Sequence, residues 1–482
     1  MKKKFITNLA LLLFLNLLVK PFWIFGVDRS VQNSVGETEY GFYFSLFNLS
    51  LLLNIILDCG INLFNNRDIA RHNQLLGKYL SNIFGLKFIL AIFYFIVIFA
   101  IGLLVNYQPE QFKLLAILAL NQFINSFILY LRSNISALHY FKTDSLISVL
   151  DRSLMIIICG LLLWGNIMDV PFKIEWFVYA QTLAYSITLV VAFIIVISKS
   201  GWFKIHIDRN YIIALLKQSY PFALLTLLMS SYTYVDGVMI ERLLPDEGKF
   251  ETGVYAQSFR IFYAFMMFGL LYAGLLLPMF SKMIKNNQPI GQLTQFSFLL
   301  LFVPAGILAI SCIFYREEII ALLYPNFIAE SPKVFGVLII SFIAVCFTNI
   351  FGTLLTANGN IKYLNQMAFF GVSFNIILNA ILIPHYKAFG AAIASLATQI
   401  FTAGIQLFLA FKIFHFRVNR KLLFMYIIFF IGIIGLGYLS KQLNINWIYE
   451  FIAMIIISVL FAMVIKLINL KVFYQIIRFG DE

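Results

Sequence analysis

Charge is scarce in this sequence. Only 12% of its 482 residues are Asp, Glu, Lys or Arg, where soluble domains carry about a quarter. Histidine and cysteine are scarcer, with five and four copies. The histidines do not cluster. Cys59, Cys159, Cys312 and Cys346 lie inside or at the edge of apolar runs, without ligand-like spacing. Neither a metal site nor a disulfide framework follows from them, because an isolated thiol in such a run behaves as a small apolar residue. There is no GxxxxGK[ST] motif, so this chain alone is not expected to hydrolyse ATP. Polar connections are short, which leaves no room for a soluble catalytic or nucleotide-binding domain.

What fills the sequence instead is apolar: 61% of residues are hydrophobic and 17% aromatic. They form runs of about 20 residues, the length that crosses roughly 30 Å of hydrocarbon. Fourteen such runs are expected to be spans: 5–27, 40–64, 80–106, 111–131, 144–166, 174–198, 218–243, 252–280, 292–315, 331–356, 363–383, 388–411, 422–440 and 446–467. A β-barrel would show short segments of alternating polarity, and none occur. The opening MKKKF precedes an apolar run that continues through Lys20-Pro21-Phe22-Trp23 without a small-residue cleavage site, so it is read as the first span. Inner loops then hold most of the lysine and arginine, including Lys2 to Lys4, Arg67, Arg71, Lys78 and Lys412 to Lys421, which places both termini in the cytoplasm. The net charge of +13 is thus mostly topogenic. Part of it suits anionic lipid, and it does not point to nucleic acid.

A faint repeat divides the chain. Val27-Asp28 is followed by Gly41-Phe42-Tyr43, and Val235-Asp236 by Gly253-Val254-Tyr255. In both places a helix is expected to end near Val-Asp, an acidic hairpin follows, and Gly-x-Tyr opens the next helix. Lys142 and Ser153 match Lys362 and Ser373 at the same offset. Two parallel six-helix halves follow, 1–198 and 218–415, joined by a cytoplasmic linker, 199–217. Residues 416–482 add two helices and a tail. Parallel repeats of this kind are a transporter signature, with the site near the midplane.

Two stretches carry a family resemblance. YVDGVMIERLLPDEGKFETGVYAQSFR resembles the span-seven to span-eight signature of polysaccharide repeat-unit flippases, within the multidrug/oligosaccharidyl-lipid/polysaccharide exporter superfamily. NGNIKYLNQMAFFGVSFNIILNAILIPHYKAFGAAIASLATQ is similar to their span-eleven to span-twelve signature. Within the second, Pro384 is expected to end a helix, Tyr386 to sit at the interface, and Gly390, Ala391, Ala392 and Ala394 to allow close packing. His385-Tyr386-Lys387 stands where the family often has Tyr-Gly. The resemblance implies a polytopic translocase that carries undecaprenyl-pyrophosphate-linked oligosaccharide from the inner to the outer leaflet of a bacterial plasma membrane. The cargo feeds O-antigen (lipopolysaccharide), capsule or exopolysaccharide synthesis. No covalent chemistry and no cofactor are implied, a proton or sodium gradient is the candidate energy source, and a polysaccharide polymerase and a chain-length regulator are implied partners.

Charges inside spans are costly and usually face a cavity or a partner. Seven are read here: Lys20, Asp58, Lys87, Asp151, Arg152, Asp236 and Arg260. Asp236 and Arg260 are expected at similar depth on antiparallel neighbours, where they would pair or, alternatively, where Arg260 would bind pyrophosphate bidentately and Asp236 would couple to a cation. Asp151 and Arg152 are adjacent and so not expected to face each other. Arg152 is then a cavity cation, with Asp58 as its alternative partner. Lys20 precedes Pro21 at an expected kink and is a third cavity candidate. Lys87 is expected to snorkel to the interface. Arg67 and Arg71 are inner-mouth candidates for pyrophosphate, or simply a helix C-terminus with topogenic charge. Tyr232, Tyr234, Tyr255, Asn375 and Asn379 are candidate sugar contacts. Two rivals remain. A drug or metabolite cation exporter of the same superfamily would prefer acidic groups in its cavity. A glycan polymerase or ligase would need a long outer loop with Arg and His.

Overall fold

A computed structural model describes residues 14–62, 76–138, 140–165, 170–200, 208–326, 328–416, 419–443 and 445–467. Among them every regular element is helical and no strand occurs. Within a bilayer a helix satisfies its own backbone groups, which is why an apolar chain of this kind takes no other form. Eleven described helices are long and apolar enough to cross a membrane.

The chain is helical from residue 14 through a π turn, Trp23–Asp28, into α1 (Arg29–Val35). The sequence reading ends this helix near Asp28. Instead the π turn after Pro21 takes up the disturbed register, and Gly36, at φ 81°, ends the helix one residue past Val35. There follow α2 (Glu37–Leu52), a 3-10 turn (Asn54–Leu57), α3 (Leu76–Leu104), α4 (Pro109–Ala137), α5 (Phe141–Trp164), α6 (Ile174–Ser200), α7 (Arg209–Leu243) and α8 (Gly248–Lys285). The remainder is α9 (Gly291–Phe314), the short α10 (Arg316–Leu323), α11 (Ser331–Phe347), a π turn (Thr348–Gly352), α12 (Thr353–Ala357), α13 (Ile361–Phe414), α14 (Arg420–Ser440) and α15 (Trp447–Val464). The long α13 covers two expected spans. Its break falls at Lys387 (φ 52°, ψ −133°) rather than at Pro384. Lys387 pairs with Glu247 and Glu251, and Glu251 Oε2 accepts the Ala388 N–H at 3.3 Å. These contacts hold a backbone geometry that an L-residue rarely adopts.

The molecule has two compact units. The first comprises residues 1–257 and 372–391, the second residues 258–371 and 392–482. The six-helix halves read from the repeat follow span order, whereas packing groups α7, the start of α8 and residues 372–391 with the first six spans. A close crossing of α2 and α8 explains part of that grouping. A Cβ on Gly41 would lie 1.9 Å from the Lys249 carbonyl oxygen, and one on Gly253 2.1 Å from the Glu37 carbonyl oxygen. Each glycine thus meets a carbonyl one turn before the other glycine. The contact is reciprocal, as a local two-fold requires, and small residues are what let two membrane helices approach so closely.

At the centre of the first unit, α4 packs along α6 and α2 along α7. Polar side chains join α4 to α6: Thr182 Oγ1 donates to Asn121 Oδ1 at 2.7 Å, and Asn121 Nδ2 to Gln181 Oε1 at 3.3 Å. The second unit packs α9 on α11 and carries the added pair α14 and α15 against α9. Its apolar core is built from Val303, Ile307, Phe429, Ile433 and Met454. Tyr315 completes the attachment, donating to Ser440 Oγ at 2.9 Å beside the buried Glu450, with the Lys441 ammonium 4.2 Å from its ring centroid.

The glycine crossing is directly testable. Gly253→Ala forces a Cβ into backbone, and overpacking of this kind costs about 1–3 kcal/mol. The thermal midpoint of the solubilised protein should fall. Gly274→Ala, on the same helix where a Cβ meets nothing within 4 Å, should leave it unchanged.

Candidate functional site

Asp236 lies on α7, seven residues before the helix ends at Leu243, and is 1% exposed. A bare carboxylate in such surroundings would be prohibitive. Its oxygens are accordingly occupied within the first unit. Oδ1 accepts from Asn379 Nδ2 at 2.7 Å and Asn375 Nδ2 at 3.2 Å, while Oδ2 accepts from the Tyr255 hydroxyl at 2.8 Å. Asn375 and Asn379 stand one turn apart on α13, hence on one face, and Asn379 Nδ2 also reaches Asn375 Oδ1 at 3.1 Å. Among the described residues Asn379 Oδ1 is buried and has no hydrogen-bond partner. The structure thereby gathers four sequence candidates at one point. In this conformation Tyr255, Asn375 and Asn379 direct their polar groups at Asp236. Tyr232 is buried one turn earlier on α7, and Tyr234 is half-buried.

A related arrangement occurs at the first repeat. Asp28 is 2% exposed, and its Oδ2 accepts from the Tyr40 hydroxyl at 2.8 Å. By sequence, Tyr43 matches Tyr255. The structure uses Tyr40 instead, one turn earlier, because Tyr43 packs against Phe47 and Phe177. Asp28 escaped the list of intramembrane charges because the helix was expected to end there.

The cations divide into separate places. Arg152 is half-buried on α5, and its guanidinium stands 5.4 Å and 5.8 Å from the ring centroids of Trp23 and Tyr185. Its Nε also contacts Asp151 Oδ2 at 3.5 Å. This corrects the expectation that the two neighbours turn apart: the arginine is long enough to fold back. Lys20 is half-buried within electrostatic range of Arg152, Asp151 and Arg132. Arg132 was not singled out from sequence, since a cation at a span end reads as topogenic. It pairs with Asp144 at 2.8 Å. Asp58 is not the partner of Arg152. It pairs with Lys87 at 3.2 Å, and Lys87, at 1% exposed, is buried rather than snorkelling. Arg260 is half-buried on α8 in the second unit. Arg67 and Arg71 lie outside the described residues.

A further buried carboxylate on α7 was not singled out from sequence. Glu241, at 8% exposed near the end of α7, accepts from Ser45 Oγ at 2.8 Å on α2 and from Gln111 Nε2 at 2.7 Å on α4. Arg242 meets it at 3.0 Å and lies 4.3 Å from the Tyr107 ring centroid. A carboxylate at a helix C-terminus opposes the macrodipole, and these donors offset that. Its place one turn from an expected loop made it read as a solvated end.

Helices alone, two buried carboxylates in tyrosine-capped repeats and a basic group at membrane depth define a multi-pass membrane protein of the multidrug exporter and lipid II flippase fold. A solved lipid II flippase, MurJ in an inward closed conformation, superposes with a TM-score of 0.66 at 17% identity over 95% of this chain and 98% of that one. An inward-facing multidrug resistance MATE transporter of the MOP superfamily gives 0.62 at 13% identity over 81% of this chain and 94% of that one. A MOP superfamily transporter from Pyrococcus furiosus gives 0.59 at 13%, over 85% of this chain and 94% of that one. The chain belongs to the polysaccharide biosynthesis protein family, whose model matches residues 10–284. It is also 27% identical over 211 residues to an uncharacterized membrane protein of Methanocaldococcus jannaschii, a match spanning 43% of this chain and 48%, about half, of that relative.

The Asp236 network has a measurable worth. Tyr255→Phe removes one donor from a buried carboxylate, and hydrogen bonds to charged groups contribute about 1.5–3 kcal/mol. The variant should melt at lower temperature. Tyr220→Phe, at an exposed position of α7, should melt like the parent protein.

Proposed function

We propose that this protein moves undecaprenyl-pyrophosphate-linked oligosaccharide repeat units from the inner to the outer leaflet of a bacterial plasma membrane, by alternating access, for O-antigen, capsule or exopolysaccharide synthesis. The observation that carries this reading is the basic group Lys20, Arg132 and Arg152, held half-buried at membrane depth. A pyrophosphate entering a low-dielectric path needs cationic partners, and arginine serves best because its fork binds oxyanions bidentately. Membership of the polysaccharide biosynthesis family and the lipid II flippase fold support the cargo class. Arg260, in the second unit, is the further cation proposed for the path.

Asp236 is the proposed coupling group, acting through a proton or sodium ion. The residues present would fit a small hard cation once the amides turn. Asn375 and Asn379 now donate Nδ2 to Asp236. Turned about, they would offer oxygen ligands beside the carboxylate, Asn379 Oδ1 being without a hydrogen-bond partner among the described residues. A bound cation would neutralise the Asp236 charge and so change which contacts α7 favours. With the termini cytoplasmic, Glu241 and the Gly41/Gly253 crossing lie on the outer side. Their contacts close that side and are the ones an outward opening must break.

Two experiments test this. In the native host, Arg260→Ala and Arg152→Ala should reduce surface polysaccharide and leave lipid-linked repeat units in the inner leaflet at normal protein level. Arg260→Lys should retain part of the activity. Unchanged glycan in all of them would remove these cations from the path, and sensitivity to organic cations on gene deletion, with surface glycan intact, would favour a drug or metabolite exporter. For the outer closure, Glu241→Ala frees Ser45 and Gln111, each bound at about 1.5–3 kcal/mol. Hydrogen exchange over Glu37–Leu52 should accelerate, and unchanged exchange would show that Glu241 does not hold the face shut.

A further inference from the structure

The apolar run 40–64, read as the second span, is broken within its length. α2 stops at Leu52, the 3-10 turn Asn54–Leu57 follows, and Cys59 and Gly60 take φ of 45° and 79°. Such a break strips backbone carbonyls of their helical partners where no water replaces them. Side chains of α3 and α4 serve instead. Tyr94 donates to Ser50 O at 3.0 Å, Ser126 Oγ to Leu57 O at 3.1 Å, and Gln122 Nε2 to Ser50 Oγ at 3.3 Å. Asn54 Nδ2 completes the stitch, donating to Gln122 Oε1 at 3.1 Å.

Lys87 Nζ sits at the centre of this repair. It donates to Leu57 O at 2.8 Å, Ser126 Oγ at 2.8 Å and Asp58 Oδ1 at 3.2 Å, with Ser126 O at 3.5 Å. Three donors of an ammonium thus meet three different oxygens. A carboxylate, a carbonyl and a hydroxyl are also the oxygen set that a free hard cation takes. Only the tether distinguishes this ammonium from a bound ion. We propose that the oxygens of Leu57, Asp58 and Ser126 form a monovalent-cation cage that the chain fills with its own lysine, and that the filled cage holds the break of the second span in one arrangement. Lys87 is therefore a positioning residue: it touches no cargo and sets the direction of the chain through residues 53–60.

The test uses the full-length protein in detergent, with Lys87→Ala to empty the cage. Thermal melting and N-ethylmaleimide alkylation of Cys59 are read in ammonium, potassium, sodium or choline chloride at constant ionic strength. Cys59 is a native reporter, since it lies half-buried in the break while Cys159, Cys312 and Cys346 are buried. In choline the midpoint should fall by roughly 5 °C or more, since the half-buried Asp58 carboxylate loses its counter-charge, and Cys59 alkylation should rise about tenfold through local opening. Ammonium, the untethered form of the missing group, should reverse both changes, and choline should not. Lys87→Met, which fills the space, should show the loss without cation rescue. Asp58→Asn added to Lys87→Met should recover much of it, since no lone charge then remains. Equal losses in ammonium and choline, or no loss at all, would overturn the cage. If Lys87→Ala does not fold, failure of Asp58→Asn to improve on Lys87→Met does so instead. None of these measurements involves the transported substrate.

Discussion

A chain inside a bilayer has no water to turn to, so each polar group at depth must find its partner within the protein. Much of this structure follows from that constraint. Where the helices run unbroken, the backbone meets it alone. Where they do not, at Trp23–Asp28, Asn54–Gly60 and Lys387, side chains gather to meet it. Two of those places also draw charged side chains. Lys387 at the α13 break draws Glu247 and Glu251, and the second-span break draws Lys87. Irregular backbone and buried charge occur together because each supplies what the other lacks.

The same constraint shows what could be read from sequence. Apolar runs of membrane length are enough to read the helical class, and eleven described helices are long and apolar enough to cross a membrane, because length and hydropathy answer to the bilayer alone. The breaks were less legible. Nothing in the composition of Asn54-Ile55-Ile56-Leu57 announces a 3-10 turn, and Pro384 pointed to a break three residues too early. Helix breaks answer to neighbours, and neighbours are set by packing. The reciprocal seating of Gly41 and Gly253 is an intermediate case. The repeat flagged both glycines, yet only the fold shows that each lies against the carbonyl one turn before the other.

Charge partners were the least legible part. Depth along a helix was estimated well enough to list Asp58, Lys87, Asp151, Arg152 and Asp236. Depth does not give azimuth, and it misassigned partners in two cases: Asp58 meets Lys87, and Arg152 folds back on Asp151. Glu241 and Asp28 were overlooked for a related reason. Both stand near expected helix ends, where a carboxylate costs little. The first helix runs on to Val35, whereas α7 ends at Leu243 and Glu241 is buried by its contacts with α2 and α4.

The amides around Asp236 bear on mechanism. Each repeat buries an aspartate and caps it with a tyrosine hydroxyl at 2.8 Å. Asp236 has in addition two asparagines of α13, one of them with a spare oxygen. Amides are neutral and present both donors and acceptors, so they solvate a carboxylate equally well whether or not a cation joins it. Asp58, by contrast, is matched by a lysine, whose charge cannot leave the chain. A carboxylate meant to exchange its counter-charge is best solvated by amides, and one meant to hold still is best matched by a tethered ammonium. By that rule Asp236 is the carboxylate suited to the proposed exchangeable charge, and Asp58, at the break of the second span, is suited to a fixed one.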